Sequence, residues 1–504
     1  MSKPSIPQGT RDFSPEVVTK RNFILNTIKR VFELYGFQPL ETPAMEKLDT
    51  LMGKYGEEGD KLIYKIRSNK NLLNNFSETT ISDLKKTLKE ETDFDYTFLP
   101  KKSDKALRYD LTIPFARYVS MNKNNLIFPF KRYQIQPVWR GDKPQRGRYR
   151  EFTQCDVDIV GSLSLLNEID LLNIYQTVFN NLKIPILIKL NNRKILQGIA
   201  EYCGCTEKLL DITTAIDKLD KLSQEKVIQE LSEKGIPPDK IKVIFDCISI
   251  NEENEVFFTE EQLKEEHNFS DSQTYEYIKI QNSRYRKDIG ILNCLQGWFS
   301  QSIGDNIVAP TGLEGIEEVI SIFQFLVDLD LSIDVDFDIT LARGLNYYTG
   351  AIFEVKATNI KMGSIGGGGR YDDLTGLFGV PGIPGVGISF GVDRIYDVLE
   401  ESKLFPEDLQ TSVKALFFNM GYSESISAYK IMLELRKQNI ACELYHESSK
   451  LDKQFKYAEK KNIPYVVIIG SKEIENKNAV IKNLKTGEQQ NVLLDELSSF
   501  FSNI

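Results

Sequence analysis

From Lys131 to Ile159 polar and apolar positions alternate on both sides of a basic loop that contains Gly141, Pro144 and Gly147. Side chains alternate faces along a strand, so a period of two flanking a turn predicts a long β-hairpin. One face carries Gln134, Gln136 and Arg140 on the first strand, and Arg150, Phe152, Gln154, Asp156 and Asp158 on the second. The other carries Tyr133, Ile135, Trp139, Val157 and Ile159, which are expected in the core. A sheet in a large protein rarely gives one face to Arg, Gln and Asp unless a polar ligand covers it. The bland alternative is a solvated edge hairpin. Arginines gathered at the loop end, beside an aromatic ring able to stack on a base, point instead to a nucleotide and anion site.

Elsewhere the periodicity is mostly helical. Phe23, Ile24, Ile28, Val31 and Leu34 form an apolar stripe. Pro15 stands at the first helical position after Ser14, and Gly36 stops the helix. An extended segment with Pro39 and Pro43 follows, a candidate dimer surface. Residues 67–105, rich in Asn and Lys, read as a peripheral insertion without chemistry. Arg108, Asp110 and Thr112 then share one face of a short run, and Ile113 to Val119 reads as helix. A helix is expected over Asn167–Asn181 and a strand over Ile184–Leu190. Charged helical patterns dominate 193–330, with Ile248 to Asp271 as a polar surface connection. Strands return at Leu331–Thr340, Ala351–Lys356 and Gly385–Gly391. Beyond a linker at Phe405–Asp408, strands and helices alternate from Val413 to Ile469. That order predicts a small doubly wound domain with a largely parallel sheet, closed by a hairpin at Lys485–Gly487 and a helix from Leu493 to Phe501.

Composition narrows the function classes. A chain of 504 residues exceeds one hydrophobic core and implies about two to four domains. The 41% hydrophobic and 27% charged residues are ordinary for a soluble protein. No run approaches the roughly 18 apolar residues of a membrane span, and the start lacks the apolar region of a signal peptide. The net charge of −9 argues against non-specific coating of nucleic acid, although Lys143 to Arg150 is a local basic patch. Six scattered cysteines form no CxxC pair, which suits a reducing cytoplasm. With only His267 and His446 present, both read as surface residues, neither a His base nor a His-ligated metal is expected.

A second chemical cluster lies downstream. Arg343 is followed by Tyr347 and Tyr348, which offer a cation, hydroxyl donors and an aromatic wall. Gly366 to Gly369 would let a backbone approach a ligand, the alternative being a flexible hairpin tip. Gly385, Gly387 and Gly391 precede a helix carrying Arg394. The dinucleotide fingerprint fails because Phe390 occupies the third glycine position, and no P-loop occurs. Three arginines near glycine-rich turns (Arg140, Arg343 and Arg394) suit a triphosphate, whose oxygens match guanidinium forks.

These residues resemble the class II aminoacyl-tRNA synthetases, and the histidyl-tRNA synthetase family in particular. Gly36 to Glu46 resembles motif 1, Arg132 to Gly161 motif 2, and Gly385 to Ile395 motif 3. The histidine-specific signal is Ala342 to Gly350 together with Arg148 to Asp156. The resemblance covers nearly the whole chain. It implies an α+β catalytic core on a mainly antiparallel sheet, a helical insertion domain and a C-terminal α/β anticodon-binding domain. The corresponding boundaries are 1–192 for the first part of the core, 193–330 for the insertion domain, 331–402 for the second part of the core and 412–504 for the C-terminal domain.

The implied activity is ATP-dependent histidine–tRNA ligation, with ATP as substrate, magnesium expected, and tRNA(His) and a second copy of the chain as partners in the cytoplasm. The alternative is a catalytically inactive, histidine-sensing regulatory paralogue. Carried over residue by residue, Asp110, Thr112 and Gln154 would hold the α-ammonium, with Leu111 beside them. Asp158 and Tyr348 would read the imidazole, with Tyr347 lining the pocket. Arg140 would grip the α-phosphate and carboxylate. Arg148, Arg150 and Arg394 would bind the other phosphates, and Phe152 would stack on adenine. Arg343 would place a cation at the α-phosphate. Asn346 stands where the family usually has Asp, so a carboxylate contact beside Arg343 is not expected. Such chemistry needs fixed cations and no general base, because the attacking carboxylate is already ionised.

Overall fold

The computed structural model describes residues 3–66, 104–145, 147–220, 222–250, 252–303, 306–342, 347–406, 409 and 413–503. It divides into two compact units, Met1–Asp12 with Ile24–Leu404, and Phe13–Phe23 with Phe405–Ile504. The strands of the first unit are β1 (Gln38–Pro39), β2 (Met45–Lys47), β3 (Lys65–Ile66), β4 (Lys105–Leu107), β5 (Phe130–Trp139), β6 (Glu151–Val160), β7 (Ile186–Asn192), β8 (Ser302–Ile303), β9 (Asn306–Ile307), β10 (Val335–Phe337), β11 (Ala351–Ala357), β12 (Gly366–Tyr371) and β13 (Gly385–Gly391).

Its centre is an eight-stranded sheet in the order β1-β5-β6-β13-β12-β11-β7-β10. The outer pairs β1–β5 and β7–β10 are parallel, and the pairings between them are antiparallel. The expected hairpin is β5–β6, with Arg132 opposite Asp158 and Gln136 opposite Gln154. Helix α1 (Pro15–Leu34) starts at its proline, and Gly36 follows it with φ +78°, a left-handed stop. Phe32 of α1 packs 5.6 Å from Tyr133 and 5.7 Å from Phe390 of β13, measured between ring centroids. Tyr175 and Phe179, on the helix Leu166–Asn181, meet Phe390 at 4.8 and 5.6 Å. Apolar helices therefore seal one face of the sheet, and the polar face is left to line a site.

Several sequence expectations change here. Ile135 and Trp139 are half-buried, while Tyr133, Val157 and Ile159 do enter the core. Gln134 and Gln136 face protein rather than ligand. Gln134 Nε2 donates to Thr42 Oγ1 at 2.8 Å, and Arg108 Nη1 donates to the Thr42 carbonyl at 2.6 Å and Gln136 Oε1 at 3.0 Å. Gly366 to Gly369 form strand β12 inside the sheet instead of a hairpin tip. Between Ile248 and Asp271 the chain buries Ile250 and Leu263 and forms the helix Glu260–Glu265, so it is not a plain surface connection. Residues 67–103 of the expected insertion lie outside the described residues, and Lys105 opens β4.

Helices dominate between Arg193 and Asp328. Arg193–Tyr202 and Pro310–Asp328 cross at Gly198 and Gly312, where a Cβ on Gly198 would stand 2.4 Å from the Gly312 Cα. Glycine at both positions allows that backbone contact.

The second unit contains β14 (Ala415–Phe417), β15 (Cys442–Leu444), β16 (Tyr465–Ile468), β17 (Asn478–Asn483) and β18 (Gln489–Leu493). Their order is β15-β14-β16-β17-β18. The first three strands are parallel, but β17 and β18 add an antiparallel hairpin, so the sheet is mixed rather than largely parallel. The helix Tyr422–Lys437 contributes Met432 and Leu435 to its core, beside Phe417, Ile481 and Phe501.

The β12–β13 contact yields the first prediction. A Cβ on Gly368 would sit 2.2 Å from the Gly387 carbonyl oxygen, inside the sheet, where no flexible side chain can yield. Gly368→Ala is expected to cost about 3 kcal/mol, the upper end of overpacking penalties. A lowered urea midpoint is the expected result, and an unchanged midpoint contradicts this packing.

Candidate active site

The polar sheet face is built by β6, β13 and β12. Phe152, Gln154, Asp156 and Asp158 project from β6 at alternate positions, as the hairpin pattern requires. Beside them β13 offers Gly387 and Ser389, and β12 offers Gly367 and Tyr371. The glycines make room. A Cβ on Gly387 would lie 2.0 Å from Asp158 Oδ1, and one on Gly369 would lie 2.9 Å from Tyr348 Cδ1.

Two cavities share this floor and meet at Arg140, Gly367 and Ser389. The larger, about 820 Å³, is a cleft lined by Arg140, Arg148, Phe152, Lys361 and Arg394 among others. The smaller, inner pocket is lined by Asp110, Thr112, Gln154, Asp156, Asp158, Tyr347, Tyr348 and Tyr371.

Arg140 is clamped at the junction. Its Nε donates to the Tyr109 carbonyl at 3.0 Å, and its guanidinium lies 4.4 Å from the Tyr109 ring centroid and 5.1 Å from that of Phe152. Arg394 sits in the first turn of the helix Val392–Glu401. Its Nε donates to the Gly147 carbonyl at 3.2 Å and its Nη1 to the Ser364 carbonyl at 2.6 Å. Arg148 pairs with Asp142 at 2.9 Å and stays half exposed. These cations border a cleft wide enough for a nucleotide.

The inner pocket is acidic, and its three carboxyl groups are buried. Asp110 accepts hydrogen bonds from the Tyr55 hydroxyl at 2.9 Å and the Ile113 amide at 3.2 Å. Burial raises its pKa, and Arg140 works against that rise. Asp158 accepts from the Tyr371 hydroxyl at 2.6 Å and lies 2.8 Å from Arg132 Nη2. Burial raises the pKa of Asp158 too, against Arg132 and the Tyr371 hydrogen bond. Asp156 is pushed up to about 7, first by burial and also by the Asp158 charge, with Arg132 opposing. Burial holds the Tyr347, Tyr348 and Tyr371 hydroxyls protonated, so they remain donors. Acids and hydroxyls in such a pocket suit a small cationic ligand with N–H groups.

Of the residues expected from sequence, Asp110, Thr112, Arg140, Gln154, Asp158, Tyr347 and Tyr348 meet in the inner pocket. Arg140, Arg148, Phe152 and Arg394 line the cleft. Leu111 lines neither, and its side chain is fully buried. Arg150 also lines neither. It precedes β6, and its guanidinium donates to the Asp142 and Gln8 carbonyls at 3.2 Å each. Arg343 and Asn346 lie outside the described residues. Sequence reasoning gave no role to Tyr55, Arg132, Asp156 or Tyr371. Asp156 carried a signal, since it sits on the alternating polar face, and Tyr371 ends the glycine run. Among the described residues no group of three or more His, Cys, Asp or Glu side chains could hold a metal ion.

Several known proteins are similar to this chain. The family model "Histidyl-tRNA synthetase" matches residues 73–281 and 304–395, and "Anticodon binding domain" matches 422–504. Curated relatives named histidine–tRNA ligase include one from Christiangramia forsetii, 48% identical over 98% of each chain. Another, from Flavobacterium johnsoniae, is 49% identical over 97% of each. The crystal structure of a Nostoc histidyl-tRNA synthetase superposes with a TM-score of 0.75 at 28% identity, covering 100% of both chains. One from Bacillus halodurans, described as an ATP phosphoribosyltransferase regulatory subunit/histidyl-tRNA synthetase, shares the fold at TM-score 0.62 and 15% identity, covering 90% of this chain and 97% of that one.

Asp156 generates the second prediction. Its folded pKa of about 7 exceeds the ordinary aspartate value of 3.8, so the folded state holds a proton that the unfolded state releases earlier. Stability is therefore lost as pH rises from about 4 to about 7, by a few kcal/mol at most at roughly 1.4 kcal/mol per unit. Asp156→Asn is expected to match the parent thermal midpoint near pH 4 and exceed it at pH 8. Midpoints that differ equally at both pH values contradict this environment for Asp156.

Proposed function

The chain belongs to the histidyl-tRNA synthetase family, and from that premise we infer the part each site residue takes in histidine–tRNA ligation. The protein is an ATP-dependent ligase that activates histidine and esterifies it to tRNA. The observation that carries the assignment of roles is the pairing of an acidic inner pocket with an arginine-lined cleft, joined at Arg140.

Histidine enters the inner pocket. Its α-ammonium meets Asp110, Thr112 and Gln154, and its imidazole meets Asp158 and Tyr348, with Tyr347 as a wall. ATP lies in the cleft with adenine on Phe152 and its phosphates toward Arg148 and Arg394. A carboxylate oxygen of histidine attacks the α-phosphorus, and the bond to pyrophosphate breaks. Arg140, immobilised by Tyr109 and Phe152, stabilises charge that builds on the α-phosphate oxygens without having to reorganise. Arg343 is proposed to act beside it on family resemblance. A ribose hydroxyl of the tRNA 3′ end then attacks the histidyl carbonyl carbon, and AMP leaves. Arg150 is given no phosphate contact, because it lines neither cavity.

Magnesium belongs to this reading only as the counter-ion of ATP, and no step is routed through it. The C-terminal unit is assigned to the anticodon, in keeping with its match. A homodimer, a cytoplasmic location and the domain limits 1–192, 193–330, 331–402 and 412–504 complete the proposal on family grounds. No observation favours the regulatory alternative, since the match to the Bacillus halodurans protein, at 15% identity, speaks only to fold.

Two measurements test this reading. Purified protein is expected to charge tRNA with histidine, and no charging overturns it. Arg140→Ala is expected to slow histidine-dependent ATP–pyrophosphate exchange by about 10²–10³, as loss of one oxyanion donor does. An unchanged rate removes Arg140 from the chemistry.

A further inference from the structure

Two arginines, Arg108 and Arg132, are among the largest fully buried side chains. Arg108 is satisfied by protein: its Nε and Nη1 donate to the Pro137 carbonyl, the Thr42 carbonyl and Gln136 Oε1. Arg132 is not. Its guanidinium rests 4.1 Å from the Phe115 ring centroid, and its nitrogens make no aligned hydrogen bond among the described residues. Its contact is the ion pair from Nη2 to Asp158 Oδ2 at 2.8 Å, with side chains 0% and 4% exposed. Asp158 Oδ1 takes the Tyr371 hydroxyl, and Oδ2 has no hydrogen bond among the described residues.

A buried cation left without hydrogen bonds is costly, and a buried pair of this kind is commonly no more stable than well-packed apolar residues. Packing against Phe115 would be met equally by an apolar chain. What an apolar chain could not supply is positive charge directly behind a pocket carboxylate. The register of the hairpin places Arg132 opposite Asp158 across β5 and β6. Arg132 lines neither cavity, so it acts on the pocket through Asp158.

We propose that Arg132 is a positioning residue for imidazole recognition, holding the Asp158 carboxylate charged and oriented toward the inner pocket. This rests on the reading of that pocket as the histidine site. The groups facing Asp158 are Arg132 from β5, Asp156 from its own strand, Tyr371 from β12 and Tyr348 from the segment before β11. Gly387 of β13 adds no charge there. Arg132 is thus the cation that faces it among the described residues, and its loss would leave Asp158 easier to protonate.

The test is histidine-dependent ATP–pyrophosphate exchange by the full-length protein, read as KM for each substrate and as kcat/KM for histidine against pH. Arg132→Met is expected to raise KM for histidine about tenfold or more, the worth of one pKa unit, with KM for ATP within about threefold of the parent. Its acid limb is expected to move to higher pH. The substrate imidazole titrates identically in both proteins, so the displacement belongs to the enzyme. Because the contact runs through one nitrogen, Arg132→Lys is expected to keep the parent acid limb and a KM for histidine within about threefold. A methionine variant with parent KM and pH profile overturns the proposal. If the methionine variant does not fold, the lysine variant decides. Parent-like values for both substrates support the proposal, and equal rises in both KM values overturn it. A parent protein without histidine-dependent exchange defeats the functional reading itself, a result distinct from any of these.

Discussion

Asp110, Asp156 and Asp158 lie almost wholly out of water on one side of a single sheet. A carboxylate survives there only where cations or hydrogen-bond donors replace its hydration. Arg140 and the Tyr55 hydroxyl do this for Asp110, and Arg132 and the Tyr371 hydroxyl do it for Asp158. Asp156 is least well served and holds its proton toward neutral pH. The pocket is thus poised for a cation, and a ligand carrying an ammonium group and ring N–H groups provides what the protein leaves incomplete. The same polarity suits a ligase that must tell histidine from neutral aromatic amino acids.

That constraint reaches into the backbone. Side chains on β12 and β13 would fill the space that Tyr348 and Asp158 need, so glycine occupies positions 369 and 387. Glycine weakens a strand, and the sheet offsets this from its other face. Phe390 sits among Phe32, Tyr175 and Phe179, and that aromatic cluster anchors β13 where its glycines cannot.

Much of this was legible in the sequence, and the exceptions have physical reasons. The β5–β6 hairpin follows from period-two alternation, and β13 from the glycine-rich run Gly385–Gly391 that leads into a helix; both appear at those positions. Seven pocket residues are legible in the sequence because they lie on that face or in the adjoining motifs. Strand β12 was hidden because its glycines advertise a turn, while burial between two strands decides its conformation. Arg150 lines neither cavity: it lies just before β6, where alternation no longer governs direction. Gln134 and Gln136 share the polar face yet meet Thr42 and Arg108, a closure no local pattern announces. Arg132 and Tyr55 were missed for the same reason, since each works through a partner distant in the chain. The C-terminal sheet reads as largely parallel from sequence because nothing local shows that the final hairpin joins it through β17.

We infer that buried acids and hydroxyls on the sheet face read the imidazole nitrogens. Thienylalanine tests it most directly, because it keeps a five-membered aromatic ring and has no ring nitrogen. With thienylalanine, kcat/KM for ATP–pyrophosphate exchange is expected to fall by about 10⁴ or more relative to histidine, since the buried polar groups would be left unpaired. Exchange with thienylalanine within tenfold of histidine would contradict it.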